Sequence, residues 1–234
     1  MTSLKKCIAE LEKLKNPAKA KILERFFKTG KGEYGEGDIF WGIIVPNIRI
    51  VARKYFLEIN FSDLRYLLKQ PVHELRFSAI AILVLKYQKA KDESEKEKIA
   101  RFYLKNLKGI NNWDLVDLSA PQILGEYFFD KNKQVIYQLA HSKNLWKKRV
   151  AMLTTFGFIK KNEFIDAFKI VEILLSDKHD LIHKAAGWML REISKRDKEK
   201  EVVFLRKYSK QMSRTTLRYA IEKFDEKERK NWLK

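Results

Sequence analysis

Five segments of this chain can be laid over one another on a small residue near their middles. They are LRFSAIAIL, LVDLSAPQIL, KKRVAML, IHKAAGWML and TLRYAIEKF, aligned at Ala79, Ala120, Ala151, Ala186 and Ala220 with spacings of 41, 31, 35 and 34 residues. Within each segment the apolar residues recur every three or four positions, as Leu115, Leu118, Ile123, Tyr127 and their neighbours do along 112–129, which predicts amphipathic helices. A second helical pattern precedes each later segment, over 93–107, 132–140, 163–175 and 200–208. Period-two strands bounded by turns are hard to find.

A two-helix unit returning every 30 to 45 residues or so cannot cover its apolar stripe alone, and stacking neighbours buries it. The pattern therefore predicts an all-α chain. The expected fold is an α-α superhelix (a HEAT/ARM-like solenoid) of stacked antiparallel helix pairs, with a right-handed concave basic groove. One domain over 1–234 is expected, interrupted by a Gly-rich connection at about 30–46 (GKGEYGEGDIFWGIIVP). A lone Cys7 excludes an internal disulfide framework and fits a reducing compartment, and it reads as a small core or surface residue. The four His, namely His73, His141, His179 and His183, are scattered without Cys partners, so no metal site is expected, and no cofactor motif is present. GEYGEGD lacks the spacing and terminal Lys of a phosphate loop. No apolar run reaches the length of a membrane span and no signal-peptide core is seen, so a cytoplasmic protein without a membrane partner is expected.

Charge narrows the partner. Lys and Arg number 49 against 30 Asp and Glu, a net +19. A solubility surface would account for the total, but not for its distribution. Residues 141–161 carry Lys143, Lys147, Lys148, Arg149, Lys160 and Lys161 with no acid, and 205–221 carry Arg206, Lys207, Lys210, Arg214 and Arg218 with none. Clustered cations of this kind point to a polyanion, most often nucleic acid. The positions around the aligned alanines hold Arg76, Asp117, Lys148 with Arg149, His183 with Lys184, and Arg218. If those helices share one side of the array, that side is a basic trough containing one carboxylate.

That carboxylate lies in NNWDLVDLSAP. Asn111 or Asn112 is placed to cap the central helix, and Asp114 to oppose the helix dipole. Trp113 and Asp117 are four apart and share a face. Pro121, four residues further on, cannot donate to the Asp117 carbonyl, so a kink is expected there. Two uses of Asp117 stay open at this point. It can serve as a structural ion-pair partner of Arg149 or Lys148, with Trp113 and Trp146 in the core. It can instead be an anion kept ready to stabilise developing positive charge.

The segments NNWDLVDLSAPQILGEYF, LWKKRVAML and IHKAAGWMLREISK resemble the AlkD-type DNA alkylation repair glycosylases, and FFKTGKGEYGEGDIFWGIIVPNIR and HELRFSAIAIL extend the likeness over nearly the whole chain. The resemblance implies a monofunctional, monomeric glycosylase. Its substrate would be double-stranded DNA bearing cationic N3- or N7-alkylated purines such as 3-methyladenine and 7-methylguanine, with the duplex on the concave face and no deep base-flipping pocket. It implies that Asp117 is the catalytic carboxylate, Trp113 its partner, Arg149 the active-site arginine and Trp188 the second tryptophan. The family's N-terminal aromatic aligns with Phe26, or with Phe27 if the register slips, and either lacks the hydroxyl of a tyrosine. A lysine that some members carry has Lys160 as its nearest counterpart. Phosphate contacts are expected from Lys147, Lys148, Lys160, Lys184, Arg214 and Arg218. The competing readings are a non-catalytic DNA- or RNA-binding scaffold and a scaffold for an acidic peptide, since a solenoid by itself implies no chemistry.

Overall fold

The computed structural model describes residues 1–234, and its regular structure is fourteen α-helices and three single 3₁₀ turns. Extended pairing is limited to one bridge between Ile39 and Val72. Contacts divide the chain into two compact units, Met1–Ser119 and Ala120–Lys234, with the division inside the seventh helix.

The first unit contains α1 (Ser3–Glu12), α2 (Pro17–Phe26), α3 (Val45–Tyr55), α4 (Phe61–Leu68), α5 (His73–Gln88), α6 (Glu93–Lys105) and the opening turns of α7 (Trp113–Tyr127). Local chemistry sets the boundaries. Asn16 caps α2 with Pro17 at the first helical position, where its missing N–H costs nothing. Asn60 and Asp63 form a reciprocal capping box on α4. Asp92 caps α6, so the charged run 91–98 is a solvated helix start, as its composition suggests. Helix α5 is buried over most of its length and packs against α3, α4 and α6. The Gly-rich connection runs between α2 and α3. The Glu74 carboxylate fastens it by accepting the backbone N–H groups of Trp41 (3.0 Å), Gly42 (2.7 Å) and Ile43 (3.2 Å).

The second unit holds the rest of α7, then α8 (Gln134–Ala140), α9 (Leu145–Lys160), α10 (Ile165–Leu174), α11 (Asp180–Ser194), α12 (Lys198–Tyr208), α13 (Arg214–Ala220) and α14 (Glu226–Trp232). Helix α9 packs on α8, α10 and α11, and α11 packs in turn on α12 and α13. The alternation expected from sequence is present: α5, α7, α9, α11 and α13 carry the aligned alanines, all buried, and α6, α8, α10 and α12 lie between them in the chain. Closest approach falls to glycine rather than to those alanines. A Cβ on Gly157 of α9 would lie 2.7 Å from the Gly125 Cα of α7 and 2.9 Å from the Pro121 carbonyl oxygen. No helix is long and apolar enough to cross a membrane.

Candidate nucleic-acid interface and catalytic carboxylate

The opening of α7 is held by a buried polar network. Asn112, immediately before the helix, accepts the Trp113 N–H (2.8 Å) and donates its amide to Asp38 (3.1 Å). Asp38, in the Gly-rich connection, also pairs with Arg76 Nη2 (2.6 Å) and meets His73 Nδ1 (3.3 Å). The other His73 nitrogen, Nε2, reaches Asp114 in the first turn of α7 (2.8 Å). Two carboxylates thus face one guanidinium and an imidazole whose protonated form they favour, and pairing of this kind is the condition under which buried charge is tolerated. Burial alone would push His73 down, but Asp114 and Asp38 outweigh it and hold its pKa above the ordinary value. Burial likewise pushes Asp38 up, and the hydrogen bond from His73, with Arg76 and Asn112, overrides it and leaves its pKa low.

Aromatic packing continues the network toward Trp113. The His73 ring stacks on Phe40 with centroids 4.6 Å apart, Phe27 stacks on Phe40 at 4.9 Å, and Trp113 lies nearly parallel to Phe27 at 5.1 Å. Trp113 is half-buried against this cluster, and the Phe26 ring meets it in a T-shaped arrangement with centroids 5.8 Å apart. The two aromatics left open by the alignment therefore differ sharply. Phe27 belongs to the core, while Phe26 is 61% exposed beside Trp113. Asp117, one turn beyond Trp113, is half-buried. Helix α7 continues through Pro121, whose nitrogen has no hydrogen for the Asp117 carbonyl.

Several expected positions have other duties. Arg76, assigned to an accessible basic trough, is 3% exposed; it gives Nη1 to the Gln70 and Pro71 carbonyls, and its Nη2 forms an ion pair with Asp38. Burial of the loop carboxylate beside it explains the difference, since Asp38 needs a fixed cation. Asp114 does more than face a dipole, because it is the second carboxylate on His73.

In the second unit Arg149 is 5% exposed and donates Nη1 to the Leu181 carbonyl (2.7 Å), which leaves it little surface to offer a phosphate. Lys148 is paired with Asp177, and Lys184 with Asp180 (2.6 Å). Lys147, Lys160, Arg214 and Arg218 are exposed. Of these, Lys160 lies 4.6 Å from the Phe156 ring centre, and Arg214 donates to the Leu233 carbonyl. Trp188 is half-buried, with its indole N–H on Glu192 (3.2 Å) and its ring 5.6 Å from Phe156. Burial pushes Glu192 up, but Lys195, Trp188 and Arg196 hold its pKa low, so the anchor of Trp188 is anionic. Cys7 is buried and its thiol is pushed up to about 12, first by burial and then by Glu10, which leaves no reactive thiolate.

Sequence reasoning missed Asp38 altogether, read His73 only as one of four scattered histidines and gave Asp114 only a local helix duty. The available signal was weak. A single Asp in a Gly-rich connection and a His at a helix start acquire meaning only when the fold brings residues 38, 73, 76, 112 and 114 together.

Known proteins bear on these features. A family model described as DNA alkylation repair enzyme matches residues 7–224. A solved structure described as a predicted DNA alkylation repair enzyme from Enterococcus faecalis aligns with a TM-score of 0.69 at 17% identity. That alignment covers 91% of this chain and 97% of that one, so the two share an all-helical repeat fold. None of the curated proteins matches the chain.

Proposed function

For a chain that belongs to the DNA alkylation repair enzyme family, we propose a glycosylase that removes cationic N3- or N7-alkylated purines from duplex DNA. The observation that carries this reading is the accessible pair on α7: a half-buried Asp117 one turn from a half-buried Trp113, which is braced on its inner side by Phe27 and flanked by exposed Phe26. An alkylated purine carries a positive charge, so it leaves readily without a general acid. When the C1′–N bond breaks, its electron pair goes to the base and neutralises it, and positive charge develops on the deoxyribose. Asp117 stabilises that oxocarbenium-like sugar electrostatically, and water adds at C1′ to give an abasic site with release of one proton. Trp113 and Trp188 are assigned to pack against the lesion's sugar and backbone, with Phe26 as a further apolar contact. Lys147, Lys160, Arg214 and Arg218 are assigned to phosphates, being exposed.

Arg149, Lys148 and Lys184 remain in the proposal as electrostatic support, because burial or ion pairing already engages them. The whole chain, 1–234, is taken to act as one catalytic domain and as a monomer on its substrate. Asp117→Asn is expected to abolish release of 7-methylguanine from methylated duplex while duplex binding is kept or strengthened. Normal release by that variant removes Asp117 from the chemistry, and absence of release by the wild type removes the glycosylase reading.

A further inference from the structure

Within the first unit lies a cavity of about 510 Å³, between the ends of α4 and α6 and the Gly-rich connection. Its volume is in the range of small-ligand sites. Lys69, Lys105 and Lys108 line it, all exposed and none in an ion pair. The carboxylates on its wall are already engaged: Asp38 by Arg76, His73 and Asn112, and Glu36 by the Gly32 N–H (2.9 Å).

Two side chains on the wall keep unused hydrogen-bonding atoms. Arg76, 3% exposed, has no partner for Nε, and Asn111 has none for Oδ1. The dipoles of α4 and α6 account for lysines at their C-terminal ends. They do not account for Lys108, for the orphaned Arg76 Nε, or for a void of this size beside them. The wall is also built to hold its shape. Gly109, in the 3₁₀ turn Leu107–Gly109, lies so close to α4 that a Cβ there would meet the Leu68 carbonyl oxygen at 2.3 Å.

We propose that this cavity binds a phosphoryl group. Three mobile ammonium groups and one buried guanidinium N–H suit a compact, multiply charged oxyanion, and Asn111 Oδ1 suits a hydrogen-bond donor on its carrier. Asn111 is two residues ahead of Trp113, so a phosphoryl group held here sits next to the start of α7. Its source is either a free phosphorylated ligand of nucleotide size or a phosphate of the DNA strand, and the second source rests on the repair reading above.

Titration calorimetry on the full chain at low salt, with inorganic phosphate, thymidine 5′-phosphate and uncharged thymidine, tests the proposal, together with duplex binding over a salt series. The free-ligand source predicts binding of phosphate or the nucleotide but not of thymidine. The combined Lys105→Gln, Lys108→Gln variant then weakens it about tenfold or more. The DNA source predicts instead that the slope of log K against log salt falls by about 2 in that variant. In either case Asn111→Asp, which adds an opposing carboxylate while leaving the lysines, weakens the same binding, and Lys5→Gln with Lys6→Gln does not. The proposal is overturned if neither binding nor slope responds, if Asn111→Asp has no effect, or if the two double variants lose equally. Phosphate binding needs no base excision, so its presence in a chain that releases no 7-methylguanine would sink the glycosylase reading alone.

Discussion

Asp38 receives an imidazole nitrogen, a guanidinium and an amide while almost fully buried. Removing its charge strands the buried Arg76 guanidinium in low dielectric, so Asp38→Asn is expected to cost about 3–5 kcal/mol in urea unfolding. A cost below about 1 kcal/mol would mean the network contributes little. The two titrating members act in opposite directions. The contribution of Asp38, whose folded pKa is lowered, is complete above its ordinary 3.8 and is lost as pH falls through the folded value. The contribution of His73, whose folded pKa is raised, is complete below its ordinary 6.5 and is lost as pH rises through the folded value.

Glu201 of α12 behaves differently. Burial first of all, opposed by Ser194 and Lys198, lifts its carboxyl from 4.5 to about 8, so the folded state holds a proton that the unfolded chain gives up. Stability is therefore lost as pH rises between those values. Glu201→Gln should match the wild type near pH 4 and exceed it by a margin that grows to a few kcal/mol, order of magnitude, above pH 8. Unfolding at a series of pH values checks this, and a gap independent of pH would exclude it.

At the scale of elements, α7 does two jobs. Its first turn is tied to the loop and to α5 by Asn112 and Asp114, and its later part meets α9 at Gly125 and Gly157. Gly157→Ala puts a methyl 2.7 Å from a backbone carbon that has no flexible end to move. Overpacking of this kind is expected to cost about 1–3 kcal/mol, read as a lowered Tm, and an unchanged Tm would show that the helices can separate freely. The repeat of helices was legible because its signals are local: apolar spacing, caps such as Asn60 and Asp92, and small residues in register. The close contact was not legible in the same way. A glycine in a helical pattern reads as a propensity cost until a neighbouring helix is seen against it.

For the whole molecule, the net charge of +19 makes association with a polyanion sensitive to salt. If exposed Lys147 and Lys160 each meet a phosphate, replacing both by Gln should lower the slope of log K against log salt by about 2 and weaken binding to all duplex sequences alike. A change confined to one sequence, or no change in slope, would exclude that use of the two lysines. The charge total was read from composition, but its availability was not. Arg76, Arg149, Lys148 and Lys184 all look alike as letters, yet the first two are buried and the last two are paired with Asp177 and Asp180.

By itself, the amino-acid order determined that the chain is helical, that its helices recur in pairs, that it carries a large excess of cations, and that Trp113 and Asp117 share a face of one helix. Each of these depends on residues a few positions apart or on a sum over all of them. The tertiary structure alone decided that Phe26 and not Phe27 faces solvent, that His73 joins Asp38 to Asp114, and that Lys69, Lys105 and Lys108 border one cavity. Those outcomes depend on which distant segments meet and on how much water is left between them. Burial sets both the charge state of a side chain and its freedom to bind, and no pattern of near neighbours encodes it.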